Sequence, residues 1–299
     1  MSRSFRARFF ALLYCSGKEK SMITLCSIAS GSSGNCIYIG TDHTHLLIDV
    51  GISAKRVEEG LRSIGVEPNK IDAVLITHEH SDHVNGLSVF VGKYPTKVYA
   101  TAGTLNRYLD SKKNGNIIRS MLCEVEYNKN FTVGDIEVAP FQISHDAIKP
   151  VCYTFQTGEH KIGMATDLGT YNKTTVQSLA GSELLYIEAN HDVNMLMVGS
   201  YPYSLKQRVR GMRGHLSNDS ASELVLKLLH QKLKAIVLGH LSKENNYPEL
   251  AYETVYQDVR GAWKFSAAAP EIFVANRDKP SKQLQLGKED MFLECKAGA

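Results

Sequence analysis

The chain has 299 residues, enough to bury a sizeable core, and we expect one large domain with extra terminal segments. Its 34 basic and 31 acidic residues leave a net charge of +3, which is too small to predict nucleic-acid binding from bulk charge. Any site for a polyanion must therefore be local. Six cysteines without a C-x-x-C pair do not fit a secreted disulfide scaffold and favour a reducing compartment.

The first 21 residues form a separate segment, in which three arginines precede the apolar run FFALLYC. That run is too short to cross a bilayer, and no small-residue cleavage site follows it. We interpret residues 1–21 as an N-terminal extension and suggest Met22 as the native start. With no apolar run of membrane length elsewhere in the sequence, we expect a cytoplasmic protein that does not bind membranes.

From Met22 onward, short apolar and β-branched runs alternate with helical patterns. A helix is predicted from a Ser53 cap to Gly65, and a second one at 218–232. Strands are predicted at 23–28, 35–40, 45–50, 73–77, 97–100, 136–143, 152–156, 161–166, 184–189, 235–240 and 271–276.

This order of elements favours two packed sheets with helices outside, which is an α/β fold in the form of a four-layer αββα sandwich. Periodicity alone fits a doubly wound sheet equally well. We expect the sandwich to span residues 22–275 and residues 276–299 to be a polar, weakly ordered C-terminal tail.

The stretch THEHSDH, residues 77–83, follows a predicted strand. His78 and His80 stand two apart and can point the same way, while Asp82 and His83 follow at the entry to a helix. A solvated polar turn is the ordinary interpretation of one histidine. Three histidines and an aspartate at this spacing indicate instead a loop that gives ligands to two metal ions.

The sequence HEHSDH fits the His-x-His-x-Asp-His signature, and the chain thereby resembles the metallo-β-lactamase superfamily. Further motifs of that superfamily follow in order. They are LLIDVG with Asp49, FQISHD with His145, MATDLG with Asp167 and VLGHLS with His240. The resemblance implies that Asp49 supports the ligand loop.

The seven predicted ligands divide between two ions, which makes the protein a dinuclear metallohydrolase. The first ion would be bound by His78, His80 and His145, the second by Asp82, His83 and His240, and both by Asp167. Nitrogen and oxygen donors favour zinc, manganese or iron over copper. Two ions about 4 Å apart can share a bridging hydroxide, whose lone pair Asp82 could steer for hydrolysis.

The substrate must be inferred elsewhere, because the superfamily cleaves lactams, thioesters and phosphodiesters. In GHLSNDSASE, His215 lies just before a capped helix, whose N-terminus with Ser217 and Asn218 is a candidate phosphate site. His215 could contact the scissile phosphate or protonate the leaving oxygen. The element resembles the Gly-His-x-Ser motif of the nuclease branches.

Upstream of His215, four basic residues accumulate without an acid, next to Tyr201 and Tyr203. They form either a solvated helix face or a strip that follows a nucleic-acid backbone. The four are Lys206, Arg208, Arg210 and Arg213.

Several segments, among them SIASGSSGNCIYI and EANHD, resemble the YycJ/WalJ branch of the superfamily, over Met22 to Val274. That resemblance implies a 5′ to 3′ exonuclease on DNA, proposed to act in mismatch repair. The alternative is a hydrolase of thioesters or similar small molecules, and a weaker one is a non-catalytic metal-binding regulator. The oligomeric state is left open.

Three other polar residues are candidates for supporting the metal ligands. His191 and Asp192 follow a predicted strand, where a structural hydrogen-bonding role is about as plausible. Asn35 ends the glycine-rich SGSSGN, which we interpret as a tight turn whose amides or Asn35 side chain could also line the cleft.

Overall fold

The computed structural model describes residues 22–111, 119–287 and 292–293. The N-terminal extension expected at 1–21 therefore lies outside the described residues. In the described part of the chain, no helix is long and apolar enough to cross a membrane.

Short strands make up most of the regular structure. In chain order, the described strands are β1 Ile23–Ala29, β2 Cys36–Gly40, β3 His45–Ile48, β4 Ala73–Leu75, β5 Lys97–Thr101, β6 Leu122–Val125, β7 Phe131–Val133, β8 Ile136–Gln142, β9 Val151–Thr157, β10 His160–Ala165, β11 Leu184–Glu188, β12 Ala235–Gly239, β13 Glu271–Val274, β14 Gln283–Leu286 and β15 Phe292–Leu293.

Helices connect the strands. The described α-helices are α1 Ala54–Ser63, α2 Ser81–Val84, α3 Leu87–Lys93, α4 Ala102–Asp110, α5 Lys173–Leu179, α6 Val193–Val198, α7 Tyr203–Arg210, α8 Asn218–Leu228 and α9 Pro248–Ala262, and 3₁₀ turns lie at Pro68–Lys70 and Arg119–Met121. The predicted cap at Ser53 is present, since its side chain accepts the backbone N–H of Arg56 at the start of α1.

The described strands form two sheets. One has the order β15-β14-β1-β2-β3-β4-β5-β6 and the other the order β13-β12-β11-β10-β9-β8-β7. Apolar side chains from both sheets, such as Ile39, Leu46, Tyr153 and Met164, form a fully buried core between them.

A second layer of apolar contacts covers each outer face. On the first sheet, Val57 and Leu61 of α1 and Phe90 of α3 are buried. On the second sheet, Leu224 of α8 and Val255 of α9 are buried in the same way. Helix, sheet, sheet and helix therefore follow one another, and the predicted four-layer αββα sandwich is confirmed.

Each strand predicted from the sequence is present, but four further strands were missed. β6, β7 and β15 are two to four residues long, too short for a periodic signal. β14 lies inside the expected C-terminal tail, where its sequence QLQL pairs antiparallel with β1 and is buried throughout. The first sheet thus extends past the expected boundary at residue 275.

Parallel strands place the functional side chains at one edge. β3 and β4 are parallel, as are β10, β11 and β12, so their carboxyl ends meet at the same edge of the sandwich. Three residues just past these ends adopt left-handed backbone angles: Asp49 with φ 60°, Asp167 with φ 58° and His240 with φ 57°. Such strain in non-glycine residues clusters at functional sites.

Candidate metal centre

A first cluster of histidines lies where the loops after β4 and β8 meet. Ligand atoms of His78, His80 and His145 all lie within 4.8 Å of one another. His145 Nδ1 lies 3.1 Å from the Gly214 carbonyl. Since a carbonyl only accepts, Nδ1 carries the proton, and Nε2 keeps a lone pair that faces His80 Nδ1 at 3.3 Å.

The second cluster joins Asp82 and His83 at the start of α2 to His240 after β12, again with ligand atoms within 4.8 Å. His83 Nε2 lies 3.3 Å from Asp82 Oδ2, and His240 Nε2 lies 3.7 Å from the same oxygen. Nitrogen lone pairs and a carboxylate therefore converge on a second point.

Asp167, which follows β10, lies between the clusters. Its Oδ2 is 3.5 Å from His83 Nε2, and the residue also groups with His78 and His83. It is 1% exposed, and its carboxylate is placed to serve both clusters. The structure thus brings together all seven predicted ligands; their role as ligands stays a prediction.

The carboxylate of Asp49 accepts hydrogen bonds from the loop that carries the predicted ligands. Its Oδ2 accepts the Nδ1–H of His83 at 2.8 Å, and its two oxygens accept the backbone N–H and hydroxyl of Thr77 at 2.9 and 2.8 Å. Because Nδ1 of His83 donates to Asp49, Nε2 is turned toward Asp82. This is the arrangement that orients metal-binding histidines in proteins.

Glu188, the last residue of β11, was not among the predicted site residues. Its side chain is fully buried, and Oε1 accepts Nδ1–H bonds from His215 at 2.7 Å and His240 at 2.9 Å. Oε2 accepts the backbone N–H groups of Leu168 and Leu216. One carboxylate therefore orients both a predicted ligand and the predicted catalytic histidine. A lone acid that ends an apolar strand between two ligand-bearing strands was the available signal.

Burial and charge shape the ionisation of the site. Burial opposes ionisation of Asp82 and Asp167, but His83 and His240 outweigh it and lower the pKa of both carboxyls. Burial also opposes charge on His83 and His240, and the facing carboxylates raise their pKa above the ordinary value. The metal-free site thus binds protons where a divalent cation would replace them.

The residues fit divalent metal ions. Among the described residues, eight buried side-chain polar atoms have no hydrogen-bond partner, and three of them belong to predicted ligands: His78 Nε2, His240 Nε2 and Asp167 Oδ2. Buried polar atoms are otherwise almost always paired, so unpaired lone pairs that converge suit a bound cation.

The predicted phosphate-binding residues, Ser217 and Asn218, lie at the start of α8, and both side chains are hydrogen-bonded within the protein. Ser217 caps α8 by accepting the Ser220 N–H at 3.1 Å. Asn218 is 1% exposed, and its amide exchanges two hydrogen bonds with Asn246. The amide of Asn218 is therefore paired in the interior, and its role in phosphate binding stays a prediction.

The basic strip lies on α7, a helix whose residues are all exposed or half-buried, and in the loop behind it. Lys206 Nζ donates to the Met197 carbonyl, and Arg208 Nε donates to Asp146 Oδ2 at 2.5 Å. Arg213 donates to the His145 carbonyl. Arg210 is exposed. Most of the strip is thus held against the protein itself.

The other three candidates for supporting the metal ligands, Asn35, Asp192 and His191, have different surroundings. Asn35 approaches the second cluster, with Nδ2 3.2 Å from His83 Nε2 and 3.5 Å from Asp82 Oδ2. Asp192 caps α6 by accepting the Met195 N–H. His191 is buried, and burial lowers its pKa to about 4.

A cleft of about 640 Å³ opens beside the first cluster. It is large enough for part of a substrate and carries charges of both signs. Its lining is Glu79, His80, Ser81, Arg107, Asp146, Ala147, Ile148 and Arg213.

This chain is similar to known proteins over most of its length. The family model of the beta-lactamase superfamily domain matches residues 44–240. Exodeoxyribonuclease WalJ of Streptococcus pneumoniae is 40% identical, over 79% of this chain and 87% of that protein. Exodeoxyribonuclease YycJ of Bacillus anthracis is 38% identical, over 77% of this chain and 86% of that protein.

Among solved structures, Zn²⁺-bound PqqB from Methylobacterium extorquens has the same fold. It superposes with a TM-score of 0.66 at 17% identity, over 86% of this chain and 99% of that one. Residues 44–240, which the family model matches, include the ligand loop and both clusters. This chain therefore belongs to the beta-lactamase superfamily, in the branch that contains WalJ and YycJ.

Proposed function

We propose that this protein is a dinuclear metal-dependent hydrolase that degrades DNA from a 5′ end. The observation that carries the proposal is the position of His215, held by the buried Glu188 at 2.7 Å and packed against ligands of both clusters. Its ring lies 5.2 Å from the rings of His145 and of His240. The relatives named as exodeoxyribonucleases support a DNA substrate.

Two divalent ions, zinc, manganese or iron, would be held by the two clusters, with Asp167 between them. Bound there, they would supply Lewis acidity and a nucleophile at neutral pH. Zinc in a structural neighbour supports a metal of this class.

The protein's own groups would handle the protons and the geometry. Glu188 accepts Nδ1–H of His215 and leaves the other ring nitrogen, Nε2, unengaged by this bond; as an imidazolium, His215 would give its Nε2 proton to the leaving 3′ oxygen of the cleaved ester. Asp82 would orient the attacking water, since its carboxylate lies at the second cluster. A nuclease with this substrate would act in the cytoplasm, and we keep mismatch repair as its predicted process.

The test is cleavage of 5′-labelled single- and double-stranded DNA by protein loaded in turn with Mn²⁺, Zn²⁺ and Mg²⁺. We expect metal-dependent release of labelled mononucleotide, absent in Asp82→Ala at equal protein concentration. DNA that stays intact under all three metals, beside hydrolysis of a thioester, would favour the small-molecule hydrolase and refute the nuclease.

A further inference from the structure

The segment that joins α7 to His215 is attached to the loop that carries His145. Ser144 Oγ donates to the Met212 carbonyl at 2.8 Å, and His145 Nδ1 to the Gly214 carbonyl at 3.1 Å. Arg213 donates back to the His145 carbonyl at 3.1 Å. Three hydrogen bonds thus fix this segment to the loop that carries a predicted metal ligand.

The outermost of these contacts is an ion pair. Arg208 Nε lies 2.5 Å from Asp146 Oδ2, on the residue that follows His145. The other oxygen, Asp146 Oδ1, is buried and has no hydrogen-bond partner within the described chain. It lies 3.4 Å from His145 Nε2 and 3.8 Å from His80 Nε2.

That oxygen is at the rim of the first metal subsite, the point on which His78, His80 and His145 converge. An uncompensated carboxylate there would have two effects. It would repel an anionic phosphodiester that approaches the metal, and it would offer the metal one more hard oxygen ligand. Both effects weaken when a guanidinium neutralises the carboxylate and fixes its orientation.

We propose that Arg208 is a positioning residue that neutralises Asp146 and keeps its carboxylate at the rim of the first metal subsite, so that a phosphodiester can enter. The inference rests on the proposed function. It differs from the expectation that Arg208 contacts the DNA backbone, because here the arginine acts through Asp146.

Three variants test it: Arg208→Gln, Asp146→Asn and the double variant, with Arg62→Gln, which removes an ion-paired arginine from α1, as the matched control. Zn²⁺ affinity is measured by competition with a chromophoric chelator, and KM and kcat are measured on labelled DNA. The affinity measurement needs no DNA, so it holds even if the protein cleaves another substrate.

Arg208→Gln frees the carboxylate, so we expect Zn²⁺ affinity to rise by about tenfold and KM for DNA to rise by about tenfold, with kcat changed less. Asp146→Asn alone lowers Zn²⁺ affinity and keeps the proposal testable if the arginine variant does not fold. The double variant returns both values to near those of the wild type.

The proposal is overturned if Arg208→Gln leaves Zn²⁺ affinity unchanged or lowered, or if the double variant binds DNA as poorly as Arg208→Gln. Those results would make Arg208 a direct phosphate contact or a purely structural residue. Absence of DNA cleavage by the wild type would instead refute the proposed function, whatever the Zn²⁺ affinities show.

Discussion

Replacing Glu188 with glutamine keeps the shape of the buried side chain, but the amide cannot accept all four hydrogen bonds that the carboxylate accepts. The carboxylate accepts from two histidines on Oε1 and from two backbone N–H groups on Oε2. A glutamine must turn its NH₂ toward one of these pairs. The NH₂ then faces two donors. If these are His215 and His240, each must move its proton to Nε2, which in His240 is the atom that a metal ion needs free.

The structure sets the expected magnitude. Two charge-assisted hydrogen bonds are lost, each worth roughly 1.5–3 kcal/mol, and removal of a buried charge offsets part of this, which leaves about 3 kcal/mol. Burial opposes ionisation of Glu188, but His215 and His240 outweigh it and lower its pKa from 4.5 to about 2. That shift also corresponds to about 3 kcal/mol.

The sign of the pH dependence follows from the lowered pKa. The folded protein holds Glu188 ionised more firmly than the unfolded chain, so its contribution is complete above pH 4.5 and lost as the pH falls through about 2. The free energy of unfolding of Glu188→Gln should therefore differ most from the wild type at neutral pH and converge with it near pH 2.

Urea unfolding of the metal-free proteins measures this difference, and chelator competition gives the metal affinity, expected to fall by about 10–100-fold. The matched control is Glu183→Gln at the opposite end of β11, where Glu183 pairs with His160 and Lys234. It should lose stability without losing metal affinity. Wild-type stability and metal affinity in Glu188→Gln would refute the role assigned to this carboxylate.

Three further outcomes are expected. Asp49→Asn removes the acceptor for His83 Nδ1–H and should weaken the second metal by about 10–100-fold in a two-site titration, with the first metal little changed; equal loss at both would contradict this. Asn218→Ala breaks the buried pair with Asn246 and should lower unfolding free energy by about 1–3 kcal/mol at unchanged DNA affinity, whereas a large loss of DNA affinity would restore the phosphate-site interpretation. Arg210→Glu should weaken DNA binding and reduce its salt dependence, measured by fluorescence anisotropy at several salt concentrations; an unchanged slope would remove α7 from the DNA path.

Site residues that belong to one local motif could be predicted from the sequence. The spacing of His78, His80, Asp82 and His83 and the strand that precedes them place these side chains together without long-range information. His145, Asp167 and His240 each follow a strand, and the sandwich brings those strand ends to one edge.

Contacts between segments that are distant in the chain could not be predicted in this way. Glu188 meets His215 only because β11 lies between β10 and β12, and nothing local in either segment encodes that contact. A run of basic residues likewise does not reveal that Arg208 pairs with Asp146, 62 positions earlier. The local run of basic residues predicted an exposed strip, and three of its four side chains also make hydrogen bonds to the protein.

The central claim is that two metal ions in these clusters cleave DNA. Its most direct test is a titration of metal-free protein with Mn²⁺ while mononucleotide release from a 5′-labelled duplex is followed. We expect nucleotide release to rise with the second equivalent of metal and to stop rising there. Binding of two equivalents without any nucleotide release, or full activity at one, would contradict it.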